Sequence, residues 1–550
     1  MICPSPIVRK TFGCFEVLAL FKQRISLDIR KHGLFVEKKI IICTFARIIN
    51  ENHILMTIRF NVIFQFLLLL LLVSCNSTIE VSQQSDEEVS VFPDYKDVTI
   101  PPNIAPLNFQ VQVQEEVALL VTGIQGESIQ VLGDAKGLFS IPAKKWKNLL
   151  EHNRGQDITL TVCHKTQDGW TAYLPFCIHV AQEEIDPYIA YRLIQPTYTF
   201  WNEMGIYQRD LESFEQMPVY ENAFTDYNCV NCHSFSSRDP EKMLFHMRAK
   251  HAGTVLRQGK NAEKLNTKTD ETISALVYPF WHPTSEYIAF SVNDTHQSFF
   301  AHNQNVLEVF DNASDVVVYD VNRHEVFSTP LLKSDDAFET FPTFSPDGRS
   351  LYFCSAAKVD SLPLTYKDVH YSLCRIDVDV ESRTFGSKVD TLYNAKAEGR
   401  SVSFPRISPD GRFMVVTLHD AGNFSIWHSE ADLYIIDLQS GEMRALTEAN
   451  SPDGTDSYHS WSSNSRWMVF SSRRMGDLYT RPFFTYIDVD GVAHKPFLLP
   501  QKNPVEFYED LFFCYNIPEF ISDKVEFDQK DIARMMKETN GIDVSFSAQP

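Results

Sequence analysis

The residues best suited to chemistry in this chain are Cys229, Cys232 and His233, in the string Tyr-Asn-Cys-Val-Asn-Cys-His that begins at Tyr227. Two thiols at this spacing, followed at once by a histidine, meet the needs of a c-type haem: the thiols add across its vinyl groups and the imidazole ligates the iron. On that reading Cys229 and Cys232 anchor a covalent haem c and His233 is the proximal iron ligand. The string does not supply the distal ligand. His246 and Met247 are the candidates, ahead of Met243 and His251. Alternation offers a packing explanation for the same stretch, with Met243, Phe245 and Met247 on a strand's buried face and His246 exposed.

Other chemistry stays open at these positions. Zinc would need four ligands, and Cys229, Cys232, His233 with His246 or His251 would make a tetrahedral set. A structural disulfide needs only the two cysteines. A thiol–disulfide centre sits at a helix N-terminus in a βαβ setting, and nothing around this string reads that way.

Covalent haem is attached outside the cytoplasm, and the sequence carries an expected export route. After Met56 and Arg59 an apolar run leads to Leu-Val-Ser-Cys ending at Cys75. That pattern is a lipoprotein signal peptide, 56–74, with Cys75 as the lipidated first residue of the mature chain. The run from Val62 to Val73 is shorter than the ~20 apolar residues of a membrane span. Residues 1–55 are then expected to be untranslated or a non-structural leader, and the product a cell-envelope lipoprotein, periplasm-facing or on the outer membrane. From Cys75 onward 67 acidic side chains stand against 40 basic ones, which disfavours phosphate backbones and sets nucleic acid aside as a partner. In such a compartment Cys163 with Cys177, or Cys354 with Cys374, are open to oxidation or to remaining buried thiols.

Residues 75–106 are polar and acidic without a sustained period and read as a flexible tether. Short alternating runs separated by Gly, Asp and Asn make 107–182 a β-sandwich-like domain. The stretch 183–240 mixes aromatic and aliphatic residues with Glu and Arg and reads as a partly helical segment that delivers the Cys-x-x-Cys-His string. Beyond it an internal repeat aligns Trp281, Phe344, Ile407 and Trp461 at spacings of 63, 63 and 54 residues. Each copy is a strand end, a tight turn (Ser-Pro-Asp-Gly in the middle two) and a further strand. A unit of three or four strands cannot bury both its faces alone, so its radial repetition makes 241–525 a β-propeller of five to seven blades, with 526–550 as a C-terminal tail. The fold class is thus mainly β.

The copies "FSPDGRSLYF" and "ISPDGRFMVV" are similar to the repeats of TolB-like β-propellers, over about residues 274–474. The mature chain, through "IDPYIAYRLIQP", "MGIYQRDLESFE", "TDYNCVNCHSF", "MLFHMRAK" and "SYHSWSSNSRWMVFSSRR", resembles a family of Bacteroidota-type lipoproteins that joins such a propeller to a single c-type haem motif. The resemblance implies an architecture; the family has no assigned reaction.

Hydrolysis is disfavoured: there is no Gly-x-Ser-x-Gly string, and the residues after the last repeat are too few for an α/β-hydrolase domain. Two expectations follow. One is an envelope-anchored haem lipoprotein in electron transfer, docking a redox partner. The other is a protein-binding or assembly propeller whose Cys-x-x-Cys-His is a structural disulfide or metal site. In either case the partner is an unknown envelope protein.

Overall fold

The computed structural model describes residues 79–196, 203–300, 305–476, 478–538 and 540–547. The expected signal segment and Cys75 lie outside the described residues. The chain from Ile79 onward forms one unit, mainly β.

Its N-terminal part has two sheets. The larger runs through Val81–Gln84, Gly169–Ala172, Gln156–Thr166, Phe176–Val180 and Thr99–Ile100, with Val117–Thr122 attached to the long strand and Ser128–Leu132 paired to Val117–Thr122. The smaller is Val91–Phe92, Phe109–Val111 and Leu138–Phe139. Phe109 meets Phe139 of its own sheet at 5.2 Å and Phe176 of the other at 6.1 Å, so the two sheets share a core. The helix Ala143–His152 closes this core with Trp146, Leu149 and Leu150, whose spacing places them on one face. The expected flexible tether needs correction. Tyr95, Val98 and Ile100 are fully buried, and the Tyr95 hydroxyl donates to the Leu498 carbonyl at 3.3 Å. Isolated apolar residues in a polar stretch leave no periodic signal, yet each fills a site made by distant strands.

Six sheets of at least four strands follow, and their connectivity is that of a six-bladed propeller. Their inner strands are Cys514–Ile521, Cys229–Phe235, Leu276–Trp281, Ala337–Phe344, Ser401–Ile407 and Asp456–Trp461, for blades 1 to 6. Blade 1 is closed by both ends of the ring. Its inner strand comes late in the chain and pairs antiparallel with Tyr188–Ile194, Ile189 opposite Phe520. Met204–Asp210 and Gln216–Glu221 complete it. The segment 183–240 is therefore strand where it was expected to be partly helical, apart from short 3-10 turns such as Asn222–Thr225. Both faces of this blade are covered, so the period of two is obscured. Gln208, for example, is buried, and its amide both donates to the Val525 carbonyl (2.9 Å) and accepts from the Val525 N–H (2.7 Å). The expected C-terminal tail is also built in. Helix Gln529–Glu538 packs on blade 2, and Ile542–Asp543 and Ser545–Phe546 add parallel edge strands to blades 2 and 3.

The Ser-Pro-Asp-Gly turns join the inner strand to the next. In blade 4 the Ser345 hydroxyl accepts from the Ser350 N–H (3.0 Å) and donates to Asp347 (2.6 Å), which accepts from the Arg349 N–H. Gly348 takes the left-handed conformation there, φ 72°. In blade 6 Ser462 and Asn464 reproduce these bonds, and Ser465 takes the left-handed place at φ 62°. In blade 3 the His282 ring nitrogen accepts from the N–H groups of Thr284 and Ser285 instead.

Neither proposed cysteine pair is joined. Cys354 lies in the core shared with blade 5, whereas Cys374, on the adjacent strand, lies in the core shared with blade 3. Cys177 is opposite Thr159 in the sheet, four residues along the strand from Cys163, a separation of about 13 Å. No helix among the described residues is long and apolar enough to cross a membrane.

Candidate functional site: the axial channel and the Cys-x-x-Cys-His strand

The string from Cys229 to His233 is the first part of the inner strand of blade 2. Every inner strand has the same irregularity. Its register with the next strand slips once, so that two residues face one, and the first of the two has a left-handed backbone. These residues are Ile517, Cys232, Tyr278, Phe341, Phe404 and Tyr458, with φ between 49° and 54°. A left-handed non-glycine residue costs roughly 1–2 kcal/mol. Its presence in all six blades marks it as a requirement of the ring. Tyr278, Phe341, Phe404 and Tyr458 pack ring against ring in sequence, edge-to-face or tilted, at centroid distances of 4.7, 4.2 and 4.9 Å. They form an aromatic plug across the axis, and Cys232 takes the equivalent place in blade 2.

The next residue in each strand is Pro518, His233, Pro279, Pro342, Pro405 or His459. His459 donates from Nε2 to the Val415 carbonyl of the neighbouring blade at 2.8 Å. His233 faces the carbonyls of Ile517 and Ala190 of blade 1, without hydrogen-bond geometry at either nitrogen. Burial, helped by Arg192, pushes its pKa down to about 3, so the imidazole is neutral.

The plug separates two axial cavities. Tyr278, Tyr458 and Ile517 line both. The narrower, about 280 Å³, takes Cys232 and His233 with Arg238, Arg406, His459 and Glu519. Glu519 accepts from the Phe235 N–H at 3.2 Å; desolvation raises its pKa to about 7, against the pull of the Phe235 bond, Arg406 and Arg238. The wider, about 660 Å³, takes Cys229, Asn231, His246 and Arg192. Burial raises the Cys229 thiol, and Arg248 and Arg192 oppose it.

A c-type haem needs both thiols on one porphyrin edge and the imidazole over the iron. In the strand Cys229 opens to the wider cavity and Cys232 and His233 to the narrower, so the three do not converge and this conformation does not fit the group. His246 is opposite Asn231 on the next strand, buried, and bonds Thr254 Oγ1 through Nδ1 at 3.0 Å. The packing reading by alternation would leave it exposed; in the structure it is buried. Met247 and Met243 are packed in the core between blades 1 and 2, and His251 bonds Asp226 at 2.9 Å. Among the described residues no group of three or more His, Cys, Asp or Glu side chains converges as a metal site.

Arg192 is the residue the sequence did not single out. It lies on the second strand of blade 1, 7 % exposed, and reaches between blades 1 and 2. Its Nη1 donates to Asn231 Oδ1, and with the Asn516 amide turned to donate to Thr480 and the Tyr515 carbonyl, Asn516 accepts from Nη2 at 3.1 Å. Asn231 and Asn516 are equivalent positions of their inner strands, one residue before the left-handed step. The signal was present as Cys-x-Asn in both "CVNCH" and "CYNIP".

No protein-family model matches the chain, and no curated protein matches its sequence. Among solved structures it is similar to TolB from Acinetobacter baumannii, at 14 % identity and a TM-score of 0.39, covering 69 % of this chain and 85 % of that one. A prolyl endopeptidase structure is similar over 50 % of this chain and 36 % of its own (16 %, TM-score 0.33). An oligogalacturonate lyase in complex with manganese is similar over 56 % and 73 % (13 %, TM-score 0.33). The class of the protein is that of a mainly β, six-bladed β-propeller, and it is the blade connectivity above that carries this assignment.

Proposed function

We propose that this chain is an exported, Cys75-lipidated propeller that acts as a binding module of the cell envelope through its axial channel. In this reading Cys229-Val-Asn-Cys232-His233 serves as the inner strand of blade 2. The observation that carries it is the sixfold equivalence of the strand: Cys232 stands where the other blades have an aromatic or isoleucine, and His233 where they have proline or His459. A propeller offers a rigid concave surface for an envelope partner, and its fold alone names no reaction.

The competing proposal is covalent haem c on Cys229 and Cys232 with His233 at the iron, in an electron carrier. It is supported by the string itself and by the buried His233 imidazole, neither nitrogen of which has a partner. It requires the strand to leave its sheet so that the three residues converge.

Wild type and Cys232→Phe, exported in a host equipped for cytochrome c maturation, separate the two. The binding-module reading expects no haem stain after denaturing electrophoresis and an unchanged fold in the variant. A haem-positive band that the variant loses would replace it with the electron-carrier reading.

A further inference from the structure

The two axial cavities differ in how their charges are met. In the narrower, Arg238 and Arg406 face Glu519, and each cation has a counter-charge or a backbone carbonyl. In the wider, the described lining residues include four basic side chains, Arg192, Arg248, Lys268 and Arg473, against one acidic, Asp294. The protein as a whole carries a net charge of −21. The concentration of positive charge at this mouth is therefore local.

Arg473 is occupied: it donates to the carbonyls of Ile426 (2.7 Å) and Leu478 (2.6 Å) and lies 3.4 Å from the Trp427 ring centre. Arg192 is different. It is more than nine-tenths buried, and among the described residues it has no carboxylate within ion-pair distance and its Nε–H has no partner. Its two bonds are to neutral amides, Asn231 and Asn516, which orient the guanidinium without neutralising it. Guanidinium stays charged, so it cannot relieve its burial by losing a proton. A buried cation without a counter-charge is costly, and the usual solution is an anion with two acceptors matching the fork. Arg248 and Lys268, both exposed, line the same cavity and add attraction for an anion, Lys268 while also donating to the Thr272 and Ile273 carbonyls.

We propose that the wider axial cavity is a binding site for a small oxyanion, a carboxylate or phosphate group of a ligand, seated on Arg192 and oriented by Asn231 and Asn516. The walls beyond the seat, Tyr278, Trp427 and Tyr458, supply aromatic surface for the rest of the ligand. The volume of about 660 Å³ is that of a small-molecule pocket. This inference deepens the binding-module reading, and rests on it only in placing the ligand in the axial channel.

The test is thermal unfolding and titration calorimetry of the exported protein with benzoate, acetate and inorganic phosphate, each against chloride at equal ionic strength. Benzamide, the uncharged counterpart of benzoate, is the control. Expected is a concentration-dependent rise in Tm with at least one oxyanion and none with benzamide. Benzoate or acetate alone would identify a carboxylate ligand, and phosphate alone a phosphorylated one. Arg192→Gln should weaken the binding tenfold or more, and Arg192→Lys, which keeps the charge and loses the fork, should weaken it while retaining the fold. Arg248→Ala should lower affinity less and reduce its salt dependence. Binding unchanged in both Arg192 variants, or no oxyanion raising the wild-type Tm above chloride, would overturn the proposal. A positive haem stain would overturn the binding-module reading and leave the oxyanion titration to be judged separately.

Discussion

His233 and His459 occupy the same step of their inner strands, each one residue past the left-handed position, at Cys232 and Tyr458. One of them completes a Cys-x-x-Cys-His string; the other does not. Both are packed against the strand of a neighbouring blade, and burial first of all pushes both pKa values down to about 3. The histidine of the string thus has a structural counterpart within the same molecule.

The aromatic plug gives the first expectation. Phe341 is 2 % exposed and lies 4.2 Å from Phe404 and 4.7 Å from Tyr278. Phe341→Ala should cost about 3–5 kcal/mol, as other large-to-small core substitutions do. Cys232→Phe at the equivalent place in blade 2 should change stability by less than about 3 kcal/mol, because it extends a ring of side chains that already exists. Urea unfolding of the two variants measures the contrast.

His428 gives a dependence on pH. The long hairpin of blade 3, Tyr287–Phe299 and Leu307–Asp320, reaches across to blades 4 and 5, where Glu308 bonds His428 (2.8 Å) and Asp311 bonds Tyr371 (2.7 Å) and Asn423 (2.6 Å). Burial alone would lower the His428 pKa, but the bonds to Glu308 and Glu430 outweigh it and raise it to about 9. Because the folded value lies above the usual 6.5, this contribution is fully present below pH 6.5 and is lost as the pH rises through about 9. Unfolding free energies from pH 6 to 10 should fall along that window, and His428→Gln should flatten the fall.

Glu339 has the opposite arrangement. It is 3 % exposed, its Oε2 has no partner, and desolvation, reinforced by Asp315, raises its pKa to about 8. Its folded form holds a proton that the unfolded chain releases near pH 4.5, so stability declines as the pH rises from there to about 8. Glu339→Gln should be close to neutral at pH 5 and stabilise by about 1–3 kcal/mol above pH 8, where the wild-type carboxylate is ionised with its Oε2 unpaired. Calorimetric Tm values at the two pH extremes check the sign.

The blade turns were the most legible part of the fold. Trp281, Phe344, Ile407 and Trp461 aligned because three of the four copies carry a serine and a short polar residue at fixed places, and those side chains hold the turn. Phe235 and Phe520, which occupy the same place in the inner strands of blades 2 and 1, three residues past the left-handed position, were missed because no such turn follows them. Blade 1 was further hidden because its inner strand lies some 300 residues from its partner in sequence, and pairing of that kind leaves no local pattern. At the candidate site, Cys229, Cys232 and His233 were legible as chemistry from residue type and spacing alone. Their division between two cavities was not, because it depends on a one-residue slip of register, which turns side chains to other faces. Arg192 itself gave no signal; only the Cys-x-Asn shared by the two inner strands marked the amides that hold it.

Gly348 supplies a further check on the turns. Its φ is 72°, and a Cβ there would lie 2.2 Å from Nε2 of the buried His282 of blade 3, whose ring bonds the Gly348 carbonyl at 3.1 Å. Gly348→Ala should destabilise by at least about 1–2 kcal/mol from the backbone alone. Gly441, also left-handed (φ 76°) but with no atom within 4 Å of such a Cβ, should show only the backbone part when replaced. Comparison of the two midpoints in urea isolates the His282 contact.

The central claim is that Cys229 and Cys232 are thiols of an inner propeller strand. The most direct measurement is the intact mass of the exported protein, made in a host that matures c-type cytochromes, after denaturation and alkylation without reductant. The expected result is a chain without the mass of haem and with both Cys229 and Cys232 alkylated, as peptide mapping would locate them. A haem-sized increment on the peptide containing both residues, with neither alkylated, would contradict it.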